Sequence, residues 1–433
     1  MDAATNTDTD TGTATATKLA DGPPGPDNGT TRDLFEKGPA FLSKAMHTLR
    51  QYLFTLADPE GLTRRLGKIV LCRDAAGMPE YAVGNSAIVF RVRHEGRLHA
   101  LRCFLRPMRH LREIYGERLL ERELYLYNTP ATGEWVDVVL DEWIEGENLR
   151  EAIHRAASDS DRERLAALAA AFDRLALAMV SDDRAHGDLK PENLIVDPAG
   201  RLHPIDLDAT FLPSFAGEPS PELGTAAYQH PARTAADFDA SLDDYPAALI
   251  STALHALAED PALYARYGAG DGLLFTPSQI PDEAPYREVL ALFERRGLAV
   301  PYRIARLLAA PTLRLFGLGE LLREAVRQQT GTERTEEPDE GPAPELFERD
   351  GLWGYRSDTE CVIAPLYDNG FEFSEGLAAV LLGGTWHFID RRGRTRISCP
   401  GCEAVKPFRN GRARIIRDGI RSEIDHSGRE FAI

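Results

Sequence analysis

Hydrophobic positions change period several times along the chain, and each change marks an element. Phe41, Leu42, Met46, Leu49, Tyr52, Leu53 and Leu56 recur near helical spacing, and Asp58-Pro59-Glu60-Gly61 ends the helix they predict. Val70 to Leu105 alternates like a set of strands. Leu111 to Leu126 reads as a charged helix with Glu113, Glu117 and Glu121 on one face. Val136 to Leu149 predicts a strand running into a turn, Leu149 to Val180 predicts two helices, and helical patterns continue to about Val326. Ahead of these, Met1 to about Lys37 is rich in Thr, Asp, Ala, Gly and Pro and nearly lacks large apolar residues, so it is expected to stay disordered. Gln328 to about Pro344 is polar, acidic and Pro-containing, and reads as a flexible linker.

Beyond the linker the chain repeats itself. Pro365, Phe373, Gly376, Ala378, Asp390 and Gly393 are matched 35 residues later by Pro400, Phe408, Gly411, Ala413, Asp425 and Gly428. Ala379-Val380-Leu381-Leu382 and Arg412-Ala413-Arg414-Ile415-Ile416, with glycine turns beside them, predict short β-hairpins. Roughly two and a half copies fit, near the minimum that can stack a shared core.

Length and charge narrow the classes. The 433 residues allow two or three domains, and 43% hydrophobic residues allow a substantial core. A net charge of -18 gives no general attraction for nucleic acid or anionic membranes. With no signal segment and no run of about 18 apolar residues, a soluble cytoplasmic protein is the expectation. Five cysteines are too few, and odd in number, for a disulfide framework. Cys399-Pro400-Gly401-Cys402 has the C-x-x-C form of zinc or redox sites, but no second pair lies near to complete four zinc ligands. It falls where the other copy has Ala364-Pro365-Leu366-Tyr367, so an ordinary connection is the plainer reading.

The candidate chemistry sits in His186 to Val196, which reads His-Gly-Asp-Leu-Lys-Pro-Glu-Asn-Leu-Ile-Val. A polar loop with Asp188, Lys190 and Asn193 runs into the short buried strand Leu194-Ile195-Val196, and Ile205-Asp206-Leu207-Asp208 makes a second apolar approach ending in carboxylates. Two strand ends would present Asp188, Asn193 and Asp206 together. That set suits phosphoryl transfer: one carboxylate takes the proton of an attacking hydroxyl, while an amide and a carboxylate hold Mg²⁺ against nucleotide phosphates.

This stretch resembles the protein-kinase catalytic loop and the D-F-G that follows it, with five residues from Asp188 to Asn193 and thirteen on to Asp206. The resemblance covers about Ile69 to Leu322. Ala82 to Phe90 is similar to a Gly-rich loop that keeps only its middle glycine, which implies nucleotide contacts from Gly84, Asn85, Ser86 and Val89. Arg102 stands where the phosphate-binding lysine would be, and Glu121 is the spacing match for its helix partner. Val138 to Gly146 resembles the hinge, so the Glu142 carbonyl and the Ile144 amide would bond adenine, with Asp141 at the usually apolar gatekeeper position. Gly224-Thr225 to Pro231 resembles the close of an activation segment, with Ala232 in place of the usual glutamate. Asp243 matches the aspartate that anchors the catalytic loop from a helix N-terminus, although any helix favours an acid there. Leu352-Trp353-Gly354-Tyr355, Phe373 to Ala378 and Phe388 to Gly393 resemble WG repeats of bacterial proteins.

The fold these resemblances imply is α+β. A two-lobed protein kinase-like domain over 69–327 would follow a tail (1–38) and a helical extension (39–68). A linker (328–344) would lead to a β-rich WG-repeat module (345–433). The implied function is ATP- and Mg²⁺-dependent phosphorylation of Ser or Thr on a protein substrate in bacterial signalling, with the repeats binding a partner. Asp188 would be the base, Lys190 would neutralise the transferring group, and Asn193 and Asp206 would hold metal. Thr225 and Asp243 would be structural. A pseudokinase scaffold fits Arg102, the lost glycines and Ala232. A small-molecule phosphotransferase shares the His-Gly-Asp form.

Overall fold

The computed structural model describes residues 46–330, 342–349, 351–358 and 360–432. The tail expected to be disordered lies outside these residues, as does most of the proposed linker. The described chain is mixed α+β: an antiparallel half-barrel sheet, a helical middle and a β-rich C-terminal region. No helix among the described residues is long and apolar enough to cross a membrane.

Helix α1 (Leu49–Ala57) starts at Thr48, whose hydroxyl accepts the Gln51 N–H while the Gln51 side chain accepts the Thr48 N–H. The buried Tyr52 hydroxyl donates to the Phe104 carbonyl at 2.6 Å, which seats the helix on the sheet. Six strands follow: β1 (Ile69–Leu71), β2 (Tyr81–Val83), β3 (Ala87–His94), β4 (Arg97–Phe104), β5 (Leu119–Thr129) and β6 (Thr132–Glu142). Their order is β1-β3-β4-β6-β5, with β2 also paired to β3. Phe90, Val92, Leu101, Leu124 and Val138 fill the core between the sheet and α1.

The helix expected over Leu111 to Leu126 is corrected. α2 (Leu111–Tyr115) lasts five residues and stops at Gly116, at φ 55°, after which the chain becomes β5. Leu124 and Leu126 are buried in the sheet, and Leu124 lies opposite Val136. Sheet pairing to β6, the next strand in the hairpin, wins over helical charge spacing. Glu113, Glu117 and Glu121 therefore do not share a helix face. Glu123 instead is fully buried and accepts the N–H groups of Arg64, Arg65 and Leu66.

The helical middle contains α3 (Leu149–Ser158), α4 (Arg162–Val180), α5 (Asp244–Glu259), α6 (Ala262–Tyr267), α7 (Ala284–Arg296), α8 (Ala299–Leu307) and α9 (Leu318–Thr330). A small sheet joins β7 (Glu147–Asn148), just ahead of α3, to β8 (Leu194–Val196) and β9 (Leu202–Pro204), which lie between α4 and α5 in sequence. α5 is apolar nearly all round and its residues from Asp244 to Leu254 are buried, as a central helix requires.

The C-terminal region forms three antiparallel sheets. The first is β10 (Glu345–Arg349), β11 (Leu352–Ser357) and β12 (Glu360–Tyr367). The second is β13 (Asn369–Gly370), β14 (Ala378–Leu382), β15 (Thr385–Ile389) and β16 (Thr395–Cys399). The third is β17 (Cys402–Val405), β18 (Ala413–Arg417), β19 (Ile420–Ile424) and β20 (Glu430–Ala432). The 35-residue period appears as two turns with the same hydrogen bond. Gly393 donates to the Asp390 carbonyl and Gly428 to that of Asp425, each at 2.8 Å.

The expectation of a freely tethered repeat module is also corrected. From His47 onward the chain is one compact unit. Tyr355, Ile363, Leu366, Val380 and Ile389 share one continuous core with Phe172 of α4, Ile304 of α8 and Leu321 of α9. Gln328 to Thr330 belong to α9 rather than to a linker. At the seam, Arg306 donates to Asp368 at 3.1 Å, and Arg303 is buried beside Glu324. The repeats' aliphatic residues left no sign in the sequence of which surface they would cover.

Because this core is shared, the two regions should unfold together. Ile363→Ala removes a side chain only 3% exposed, and should cost about 2–5 kcal/mol. Scanning calorimetry should show one transition moving down. A low-melting β transition separating from unchanged helices would contradict the shared core.

Candidate functional site

The loop 186–193 is held from below by the start of α5. Asp243 is buried and accepts the His186 N–H at 2.5 Å and the Gly187 N–H at 3.0 Å. Burial pushes its carboxyl above the usual range, although the His186 side chain and the two N–H donors act against that. The buried His186 ring bonds the Ile205 carbonyl at 2.8 Å, tying the loop to the strand end that leads to Asp206. Gly187 has its own reason to lack a side chain. At φ 79° a Cβ would stand 2.2 Å from the Ala209 carbonyl oxygen.

Asp188 is the hub of a four-residue network. Its Oδ1 accepts the Thr225 N–H at 2.6 Å, and its Oδ2 lies 2.9 Å from Lys190 Nζ. Lys190 also donates to the Thr225 hydroxyl at 2.9 Å. Asn193 donates to the Asp188 carbonyl at 2.9 Å and to its carboxylate at 3.3 Å. Thus Asp188, Lys190, Asn193 and Thr225, which the sequence separated by up to 37 residues, converge.

Asp206 belongs to a neighbouring cluster. It adopts φ 65°, ψ 63°, a left-handed conformation uncommon for a non-glycine residue. Arg102 of β4 bonds both Asp206 and Asp208. Asp208 is buried and also accepts from the Ser86 hydroxyl and, at 2.7 Å, from Tyr115. Burial pushes the Asp208 carboxyl up, but Arg102, Ser86 and Tyr115 outweigh it, and it ends below the ordinary range. Burial lowers the Arg102 pKa, yet Tyr115, Asp208 and Asp206 raise it overall. Glu222 is pushed up by burial and by the negative charges of Asp208, Asp206 and Asp188, with Arg106 opposing, so these carboxylates face one region.

A cleft of about 1600 Å³ runs between the half-barrel sheet and the helical middle. Gly84, Val89 and Arg102 line its upper wall, and Glu142 and Ile144 line its back. Lys190, Asn193, Asp206 and Thr225 line its lower wall. Ser86 lies behind the wall, held by Asp208, and Asn85 is exposed at the β2–β3 turn. Asp141 also reaches the cleft, where Arg118 bonds it at 3.0 Å. That ion pair offsets the Asp141 charge at the cleft wall.

Glu121 is corrected. It lies on β5, outside this cleft, and pairs with Arg112 at 2.6 Å rather than with Arg102. The partners Arg102 does have, Asp206 and Asp208, come from a segment more than one hundred residues away. Two further residues escaped the sequence reading. Arg233 donates to the Gly187 carbonyl at 2.9 Å and to Gln229, bracing the segment that follows Asp206. Arg150 donates to Tyr228 at 2.7 Å and pairs with Glu192. An arginine carries no local pattern that announces such partners.

Cys399 and Cys402 are free and buried on either side of a strand connection. Burial and the neighbouring Cys402 push the Cys399 thiol up to about 12. Among the described residues no three His, Cys, Asp or Glu side chains cluster as a metal site.

Residues 360–386 match the family described as WG containing repeat. No curated protein matches the chain.

Asp244, which begins α5, supplies a pH test of this anchoring region. Its carboxylate accepts the Leu315 N–H at 2.9 Å, and burial holds its pKa up to about 7. Between about pH 4 and 7 the folded chain keeps a proton that the unfolded chain has lost. Stability therefore falls as pH rises through that window, by roughly 1.4 kcal/mol per unit at most. Asp244→Asn should flatten the slope. Urea unfolding at pH 5 and pH 8 should show a smaller difference for the variant than for wild type; an equal difference would contradict the assignment.

Proposed function

We propose that the chain is a protein kinase-like phosphotransferase that moves the γ-phosphoryl group of ATP to a Ser or Thr hydroxyl of a protein, with the WG repeats as its interaction region. The observation that carries this reading is the network in which Asp188 joins Lys190, Asn193 and Thr225 beside a cleft that also holds Arg102 and Asp206.

In this reading Asp188 takes the proton of the attacking hydroxyl, oriented by the Thr225 N–H and the Asn193 amide. Lys190 places its charge where negative charge gathers on the transferring group. The Glu142 and Ile144 backbone bonds adenine, and Arg102 meets the phosphates. The donor chemistry fits Mg²⁺: Asp206 and Asn193 supply hard oxygens. An ion that keeps waters and phosphate oxygens needs no dedicated protein cage. Bound there, Mg²⁺ would neutralise the phosphate charge. The Arg233 brace across Gly187 and Gln229 supports activity without a phosphorylated activation segment, because the segment is already held by a guanidinium.

A second reading, a nucleotide- or partner-binding scaffold without turnover, is favoured by one observation: Arg102 is engaged by Asp206 and Asp208 together, not by a helix glutamate. Phosphoryl transfer separates the two. Pure protein with labelled ATP, Mg²⁺ and a casein-like acceptor should transfer label, and Asp188→Ala should reduce the rate about 100-fold or more. Label transfer unaffected by Asp188→Ala would refute the role of Asp188. No transfer by wild type would leave the scaffold reading.

A further inference from the structure

The chain is acidic, but not evenly so. Residues 391–433 contain eleven Lys and Arg against five Asp and Glu, a net +6, so the preceding 390 residues carry -24 of the total -18. The third C-terminal sheet concentrates this charge on one face. On β18, Ala413 and Ile415 are buried and Arg414 is exposed; on β19, Ser422 and Ile424 are buried and Arg421 is exposed. Strand alternation therefore turns Arg414, Ile416, Arg421 and Glu423 to the side away from the core.

The register completes the face. Arg414 lies opposite Glu423, which lies opposite Phe431. The Lys406 N–H bonds the Arg414 carbonyl, so Lys406 flanks Arg414 on the other edge. The guanidinium of Arg412 sits 3.5 Å over the Phe431 ring, and that of Arg429 lies 5.3 Å from it. Two carboxylates share this side, and both are engaged locally. Glu423 bonds Arg414 at 3.3 Å, and Asp425 accepts the N–H groups of Ser427 and Arg429 in its own turn. Among the described residues the Lys406 and Arg421 side chains have no acidic partner.

We propose that this face binds an acidic, extended segment of a partner protein, in which Asp or Glu alternates with apolar residues. Charge complementarity names the acid, and the half-buried Ile416, which lies opposite Arg421 on this face, names the apolar position. Four short strands give a face of roughly 17 by 14 Å, the reach of about five extended residues. Nucleic acid fits less well. Arg412 already covers the Phe431 ring, so a base cannot stack on that face of it, and a long polyanion would meet the strongly negative remainder of the chain. This specifies the partner of the repeats in the function proposed above and does not depend on phosphoryl transfer, since its test contains no nucleotide.

The test uses the full chain and fluorescence anisotropy with a labelled peptide of about twelve residues alternating Glu and Val, its Gln-for-Glu twin, and a single-stranded RNA of similar length. The Glu peptide should bind, weaken as salt rises, and exceed the Gln twin about tenfold. Arg414→Glu with Arg421→Glu should lose about tenfold or more in affinity, whereas Arg174→Glu with Arg295→Glu, the same charge change on exposed helix positions, should not. If the first pair lowers the melting temperature, Arg414→Gln with Arg421→Gln should still lose several-fold. Absence of peptide binding, RNA binding tighter than the peptide, or equal loss in the helix-position pair would each overturn the proposal.

Discussion

One buried guanidinium joins the two walls of the cleft. The Arg102 side chain is 12% exposed and lies between Asp206 and Asp208, whose side chain is 4% exposed. A charge so enclosed is tolerated only when paired, and removing one partner of such a pair generally costs about 3–5 kcal/mol. Asp208 spreads the constraint further, because it also receives Ser86 from the β2–β3 turn and Tyr115 from the end of α2. Strand β4, the turn over the cleft, the short helix and the segment after β9 are thereby fixed to one carboxylate. Asp206, left-handed and less buried, is what this arrangement turns toward the cleft.

A second anchor operates one layer below. Asp243 and Asp244 open α5, the most buried helix, and each spends its carboxylate on backbone N–H groups: His186 and Gly187 for the first, Leu315 for the second. The polar loop with Asp188 is thus bound to the apolar core by its backbone, which leaves its side chains for Thr225, Lys190 and Asn193. The same core continues past α8 and α9 into the β-rich region. The first two repeat sheets consequently sit at a fixed place on the helices, and the third packs on a second cluster with Phe388 and Phe408.

The parts legible in the sequence were those encoded within a few residues. The loop 186–193, the β2–β3 turn at Gly84, helices α3 and α4 and the 35-residue repeat all announced themselves by local spacing. Where the reading failed, a partner outside the local spacing decided. Glu113, Glu117 and Glu121 had helical spacing, but Gly116 broke the helix and Val136 drew Leu124 into a sheet. The pairing of Arg102 with Asp206 and Asp208 joins residues that no window spans, and so does the Arg233 brace on Gly187. The docking of the repeats was invisible for the same reason: Ile363 and Val380 read as ordinary strand residues, with nothing to show that Ile304 and Leu321 would cover them.

In the function proposed above, the Arg102–Asp206 cluster beside Asp188 is a phosphate site. Calorimetric titration of the wild-type chain with ATP and with adenosine, in Mg²⁺ and in chelator, addresses it directly. A charge-assisted contact contributes roughly 1.5–3 kcal/mol, so ATP with Mg²⁺ should bind about tenfold or more tightly than adenosine, and chelation should remove most of that advantage. Equal affinities for ATP and adenosine, unchanged by chelator, would show that neither Arg102 nor Asp206 meets a phosphate.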